Sequence, residues 1–255
     1  MSISSKVQSV DRAVLILKCF TENKKELKLS EISDQLELNK STVHGIINTL
    51  KYHGLIDQNE KTQKYRLGLN LIELGELVIS SMDVRSIGYP IIEEVCEVLG
   101  ETVHVGILNG IEIVYIDKKE CNSSIKISTK IGSRNAAYSA ADGKVLLAHL
   151  DEETQKKIIP ENIEKITPNT ITDKQQILYE LEAVKKRGYA LDNEENLEGL
   201  ICVAAPVFDY SGEAKYGVSV TGPAVRMTKE KIDKAINVLL DATKRISYKL
   251  GYREQ

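Results

Sequence analysis

The stretch Leu27–Leu55, LKLSEISDQLELNKSTVHGIINTLKYHGL, constrains the fold more than any other part of the chain. It reads as two short helices joined by a tight turn and closed by a glycine. Ser30 stands ahead of the apolar positions Ile32 and Leu36, and Glu31 lies in the first turn, where the helix dipole favours an acid. The turn runs through Glu37, Leu38 and Asn39. The second helix opens with Lys40, Ser41 and Thr42, after which Val43, Ile46, Ile47 and Leu50 recur at helical spacing and define one buried face. Lys40, Thr42, His44, Gly45, Asn48 and Lys51 occupy the opposite face. A helix that enters a DNA major groove needs such a face: short donors for base edges and cations for phosphates.

The residues after Gly54 strengthen the helix-turn-helix reading. Leu55-Ile56 begins an extended run, residues 57–62 form a polar turn, and residues 63–67 form a second extended run. Together they make a β-hairpin, or wing, directly after the recognition helix. Lys64 and Arg66 share one face of the second strand because side chains alternate, a spacing suited to the phosphate backbone. Residues 7–20 (VQSVDRAVLILKCF) form a first helix with Val10, Val14, Leu17 and Cys19/Phe20 on its apolar side, completing a winged helix-turn-helix. Lys40, Ser41, Thr42, His44 and Asn48 are expected to meet bases or phosphates of double-stranded operator DNA, and Lys64 and Arg66 the backbone.

Charge is distributed to match. The whole chain carries a net charge of −3 over 255 residues, yet residues 1–70 hold 11 Lys+Arg against 8 Asp+Glu and the remainder 23 against 29. A basic head on an acidic body fits a protein that touches DNA at one end, and the small surplus calls for a dimer or tetramer. Cys19, Cys96, Cys121 and Cys202 show no CxxC spacing and follow no signal peptide, which implies reduced thiols in a cytoplasm. No apolar run approaches the ~18–20 residues that span a bilayer, so no membrane partner is expected.

Residues 69–82 (LNLIELGELVISSM) read as a linker helix with Leu69, Ile72, Leu74, Leu77 and Val78 as a broad apolar stripe. Dimer contact and packing on its own domain are equally consistent with that periodicity. The expected organisation is a winged helix-turn-helix over 1–68, the linker helix over 69–82 and a C-terminal domain over 83–255. In the last, a helix at 84–99 ends at Gly100, and strands over 101–110 and 111–120 meet at Asn109-Gly110, a hairpin signal. Ser124–Thr129 reads as a third strand. A helix begins at Ala141, and residues 151–187 are helical with breaks at Pro160 and Pro168. Strands over 189–192, 201–208 and 216–221 and a helix over 229–250 close the chain. Antiparallel strands with flanking helices imply an α+β domain.

These motifs taken in order resemble the IclR family of bacterial transcription regulators over nearly the whole chain. The head carries VQSVDRAVLILKCF, LSEISDQLEL, NKSTVHGIINTLKYHGLI and YRLGLNLIELG; the body carries GETVHVGIL, IVYIDK, AADGKVLLA, RGYALDNEE, ICVAAPVFD and VSVTGP. The resemblance implies a winged helix-turn-helix, a linker helix and a GAF-like C-terminal domain with an antiparallel sheet. It also implies a homodimer or homotetramer and a small carboxylic acid as effector: an organic, keto, sugar or aromatic acid. Two positions depart from the family. Many members carry a bulky basic residue where this chain has Gly45, and Asp142 replaces the residue more usual before Gly143-Lys144.

An effector site follows partly from chemistry. Ala140 and Ala141 lead into a helix whose exposed N–H groups suit an anion. Ser219 and Thr221 lie two apart on one strand and face the same side. By resemblance, Asp192, Cys202, Ser219 and Thr221 form the polar lining, with Asp192 accepting from a ligand hydroxyl or water. Each also has an ordinary structural role: a cross-strand hydroxyl pair, a small buried thiol, the start of a turn. No catalytic motif surrounds His104 or His149, and no cofactor or metal is expected, a zinc site from His104, Cys121 and Cys202 being the weak exception. The reading is a ligand-responsive regulator, a repressor of a catabolic operon in which the effector alters the placement of the two heads through the linker helix. The alternative is a ligand-independent DNA-binding protein whose C-terminal domain only oligomerises. An enzyme with a DNA-binding head is a third reading.

Overall fold

The structure, a computed structural model, describes residues 6–253 apart from 22, 81–82 and 122–126, and only the backbone of 78–80 and 83. It divides into two compact units, Met1–Ser81 and Met82–Gln255.

In the first unit α1 (Gln8–Lys18), α2 (Leu29–Leu36) and α3 (Lys40–Tyr52) precede a hairpin of β1 (Ile56–Gln58) and β2 (Tyr65–Leu67), and α4 (Asn70–Ser80) follows. Ile16, Phe20, Ile32, Val43, Ile47 and Leu50 pack into one core with Ile56 and Tyr65 of the hairpin. α2 starts one residue before Ser30, so Ser30 is not its cap. Instead the Lys28 amide donates to the Glu31 carboxylate at 2.6 Å. The tight turn is made by Glu37, whose φ of 53° lets the chain reverse between the two helices. The hairpin is anchored at Tyr65, which exchanges backbone hydrogen bonds of 2.9 and 2.8 Å with Leu27 just before α2.

One face differs from the sequence reading. On α1 the side turned inward carries Ile16, with Cys19 and Phe20 just beyond it, while Val10 and Val14 are 60% and 45% exposed. The apolar residues of this helix encircle it, so periodicity does not choose the buried face. Leu69, Ile72, Leu74 and Leu77, on or beside α4, are all more than half exposed within the single chain. The side chain of Val78 lies outside the described residues.

The second unit opens with α5 (Asp83–Leu99), then β3 (Thr102–Asn109), β4 (Glu112–Lys119), β5 (Arg134–Ala136), α6 (Ala141–Leu147), α7 (Glu152–Ile158) and α8 (Lys174–Arg187). β6 (Ala190–Asn193), β7 (Leu200–Phe208), β8 (Ala214–Pro223) and α9 (Lys229–Lys249) complete it. The strands form one antiparallel sheet in the order β5-β4-β3-β8-β7-β6. The β3–β4 turn is centred on Gly110 and Ile111, with Asn109 already paired to Glu112, one residue later than the sequence signal placed it. Residues 127–129 of the expected third strand do not join the sheet, and residues 124–126 lie outside the described residues. β5 takes the sheet edge instead.

Period-two alternation sorts the sheet into two faces. Val103, Val203, Val218 and Val220 join a core with α5 and α9. The opposite face meets α6 and α8 through Ile113, Ala190 and Ala204. Cys96 and Cys121 are joined as a disulfide with Cα atoms 5.9 Å apart, correcting the expectation of four free thiols; Cys19 and Cys202 are free. No helix among the described residues is long and apolar enough to cross a membrane.

Candidate functional site

α3 presents Lys40, Ser41, His44 and Asn48 to solvent, with Thr42 half-buried beside them. His44 and Asn48 stand one turn apart, Nδ1 and Nδ2 separated by 3.4 Å. Gly45 lies between them with open space where a side chain would be. Lys51 leaves this face: its Nζ donates to Gln58 Oε1 at 2.7 Å and lies 5.9 Å from the Tyr65 ring centre, bracing the hairpin. Arg66 is also engaged, donating from Nε and Nη2 to Asp57 Oδ2 at 2.9 and 2.6 Å across the two strands. Those hydrogen bonds hold the Asp57 carboxyl below its ordinary range. Lys64 falls just before β2, so Lys64 and Arg66 flank the buried Tyr65 without sharing a regular strand.

In the second unit a cavity of about 490 Å³ lies between α6 and the inner face of the sheet, within the size range of small-ligand sites. Ala140, Ala141, Asp192, Cys202, Ser219 and Thr221 all line it. Strand register brings them together: Asp192 is opposite Cys202, and Cys202 is opposite Thr221. Asp192 is fixed through one oxygen, Oδ1, which accepts from the Glu195 and Asn196 amides at 2.7 and 3.2 Å. Lys144 secures that loop from α6, its Nζ lying 2.6 Å from both Glu195 carboxylate oxygens and 3.0 Å from the Leu191 carbonyl. The lysine and its partner are buried and neutralise each other, so this cation is spent on architecture.

Among the lining residues outside the expected set are His104, which sequence reasoning passed over, and Asp142, which it noted only as a departure from the family. His104 is opposite Ser219 on β3, and its Nδ1 lies 3.4 Å from Thr221 Oγ1. Burial lowers its pKa to about 3, so the ring is neutral. Its Nε2 is buried and has no hydrogen-bond partner among the described residues. Leaving such a group unpaired costs ~1–3 kcal/mol, which marks it as an exception needing a reason. Asp142 is 1% exposed, and its carboxylate accepts from the Gly143 amide at 3.0 Å and from Ser219 Oγ at 3.2 Å. Burial raises Asp142 to about 6 and Asp192 to about 7.

Asp142 revises the expected anion site at the start of α6. That helix has seven residues, and the protein's own carboxylate already takes an amide of its first turn. The zinc alternative also loses a ligand, because the Cys121 sulfur is bonded to Cys96.

Two family models match the chain: the IclR helix-turn-helix domain over residues 9–60 and the bacterial transcriptional regulator IclR C-terminal domain over residues 76–248. The chain belongs to the IclR family. The HTH-type transcriptional regulator XynR of Escherichia coli is 36% identical over 247 residues, covering 96% of this chain and 98% of that one. KdgR of the same organism is 36% identical over 250 residues, with 97% and 94% covered. The crystal structure of Thermotoga maritima IclR has a TM-score of 0.78 at 36% identity, covering 97% of this chain and all of that one. An IclR homologue from Microbacterium hydrocarbonoxydans complexed with 4-hydroxybenzoate shares the fold, with a TM-score of 0.84 at 20% identity over 95% of this chain and 98% of that one. The chain is therefore a DNA-binding transcriptional regulator and not an enzyme.

Proposed function

We propose that the chain is a repressor of a catabolic operon whose hold on operator DNA is set by a small organic, keto or sugar acid bound in the second unit. The observation that carries this reading is the polar cavity at α6. There the sheet turns His104, Ser219 and Thr221 inward where a core strand would place apolar side chains, and Asp142 and Asp192 complete a buried polar wall. A protein that only oligomerised through this domain would have no use for so many desolvated polar groups, each of which is costly to bury. The relatives named AllR in Salmonella are transcriptional repressors, and the Microbacterium homologue holds an aromatic acid, both in keeping with this reading.

In this scheme Lys40, Ser41, Thr42, His44 and Asn48 contact bases or phosphates, and Lys64 and Arg66 hold the backbone from the wing. Residues 1–68 form the DNA-binding domain, 69–82 the linker and 83–255 the effector domain. The exposed leucines and isoleucine at α4 meet a second copy, giving the homo-oligomer that a two-fold operator requires. The effector works through a coupling free energy of ~1–3 kcal/mol between its site and the DNA site.

Thermal denaturation with a panel of small organic, keto, sugar and aromatic acids, with Asp192→Ala in parallel, tests the reading. A true effector at a hundred times its Kd adds ~2.7 kcal/mol to the folded state. It also shifts DNA affinity in the wild type and fails to do either in the variant. A panel in which no acid changes stability or DNA affinity returns the C-terminal unit to an oligomerising role.

A further inference from the structure

We propose that Cys96 and Cys121 are a redox-active pair, open as two thiols under reducing conditions and closed by peroxide into a disulfide, and that closing it tightens the hold on DNA by fixing α5 on the sheet. This holds whichever acid fills the α6 cavity.

The pair ends a ladder between a helix and a strand. Arg85, Tyr89, Glu93 and Cys96 recur at helical spacing along one face of α5. They meet Asp117, Lys119 and Cys121, which alternate along β4 and just beyond it. Arg85 Nε lies 3.5 Å from Asp117 Oδ2. Lys119 Nζ donates to the Tyr89 hydroxyl at 3.3 Å and to the Glu93 carboxylate. The sulfur bond is the last rung, with Cα atoms 5.9 Å apart, inside the range that a disulfide spans without backbone movement. Ile92, Val95 and Leu99 hold α5 on the core, but apolar packing is non-directional and permits small sliding of a helix. The ion-pair rungs are partly exposed and weak, so the covalent rung is the one that stops such sliding. α5 comes directly after the linker residues in the chain. Fixing it in advance removes part of the ordering cost that DNA binding would otherwise carry.

A permanent bond at this place is out of keeping with the protein's work. A bacterial regulator that binds operator DNA acts where the chromosome lies and thiols are kept reduced. Disulfides in such proteins are usually transient and serve catalysis or sensing. Cys121 is half-buried and Cys96 is 1% exposed, which orders the chemistry. The Cys121 thiolate attacks one oxygen of hydrogen peroxide, the O–O bond breaks, and the first water leaves behind a sulfenic acid. The Cys96 sulfur attacks the sulfenic sulfur, the S–O bond breaks, and the second water carries off the Cys96 proton. Two electrons pass from the sulfurs to peroxide, and two equivalents of a small thiol such as glutathione return them. Oxidation is confined to the pair, since burial pushes the Cys19 and Cys202 thiols up and leaves them poor nucleophiles.

The test uses the full chain as wild type, Cys121→Ser and Cys96→Ala. Each protein is reduced and then treated with hydrogen peroxide. Free thiols are counted after denaturation, and affinity is measured for a duplex that the reduced wild type selects from random sequence. Peroxide is expected to take the wild type from four free thiols to two, with the bond mapped to Cys96 and Cys121. A glutathione buffer of cytosolic poise reopens it. The oxidised wild type binds the duplex ~5-fold or more tightly than the reduced form, and neither variant responds to peroxide. Four thiols surviving peroxide, or a bond that glutathione leaves closed, would overturn the redox assignment. Equal DNA affinity of the two forms would overturn the regulatory role, and so would a peroxide response that persists in both variants.

Discussion

Gly217 on β8 lies so close to Asp142 on α6 that a Cβ at position 217 would stand 2.8 Å from the Asp142 carbonyl oxygen and 2.9 Å from its Cβ. The close approach puts the Asp142 carboxyl within reach of Ser219, two residues further along the same strand. Gly143 serves the same purpose on the other side, where a Cβ would come 2.4 Å from Ala137. Gly217→Ala forces α6 away from the sheet. We expect it to destabilise the second unit by ~1–3 kcal/mol, the usual range for overpacking. Thermal denaturation checks this, and an unchanged Tm would show that α6 shifts without strain.

The pH dependence of stability has a definite sign. Asp142 faces Tyr115 on β4, Ser219 on β8, and His104, Asp192 and Cys202 around the cavity, with Lys144 neutralised by Glu195. Burial raises Asp142 to about 6 and Asp192 to about 7, above their values in the unfolded chain. Their contribution is complete below the ordinary carboxylate range and is lost as pH rises through about 6 and about 7. His104 acts in the opposite sense, since burial keeps it neutral while the unfolded chain gains a proton on acidification. The difference between wild type and Asp142→Asn isolates the acid. Between pH ~4 and ~7.5 the wild type should lose ~3 kcal/mol relative to the variant in denaturant titrations. Parallel profiles would mean that Asp142 ionises normally.

Gly45 sits on the exposed face of α3 with open space around it. Gly45→Ala should stabilise the first unit by ~0.5–1 kcal/mol through helix propensity alone. Gly45→Arg should tighten binding to all DNA sequences and make the slope of log K against log salt more negative by about 1. Gel-shift titrations at several salt concentrations decide this, and a change in sequence preference with no change in slope would place position 45 on a base edge instead.

Arg66 and Asp57 pair across the wing. Arg66→Ala should weaken specific and random DNA alike and flatten the salt slope by about 1. Asp57→Ala removes a negative charge from the same surface and should strengthen both. An altered preference among sequences in either variant would contradict a phosphate role for Arg66.

The helix-turn-helix was legible because its two helices, turn and closing glycine are encoded within Leu27–Leu55. Most of the sheet was legible too, since Val218, Ser219, Val220 and Thr221 alternate by the pleat. What escaped depends on distant register or packing. The apolar residues of α1 form too wide a stripe to reveal that Ile16, and not Val10, faces inward. Cys96 and Cys121 are 25 residues apart and meet only through the packing of α5 against β4. His104 looked isolated because Ser219 and Thr221, its neighbours in the cavity, lie more than a hundred residues away in sequence. Asp142 stood out as an unusual residue, but its burial against β8 depends on the bare backbone at Gly217.

The alternation along β8 separates two tasks. Val218 and Val220 belong to the core with α5 and α9, while Ser219 and Thr221 face the cavity. A substitution at the second pair rewrites the chemistry of the cavity wall and leaves the core contacts of the first in place, so lining and scaffold can be altered independently along a single strand.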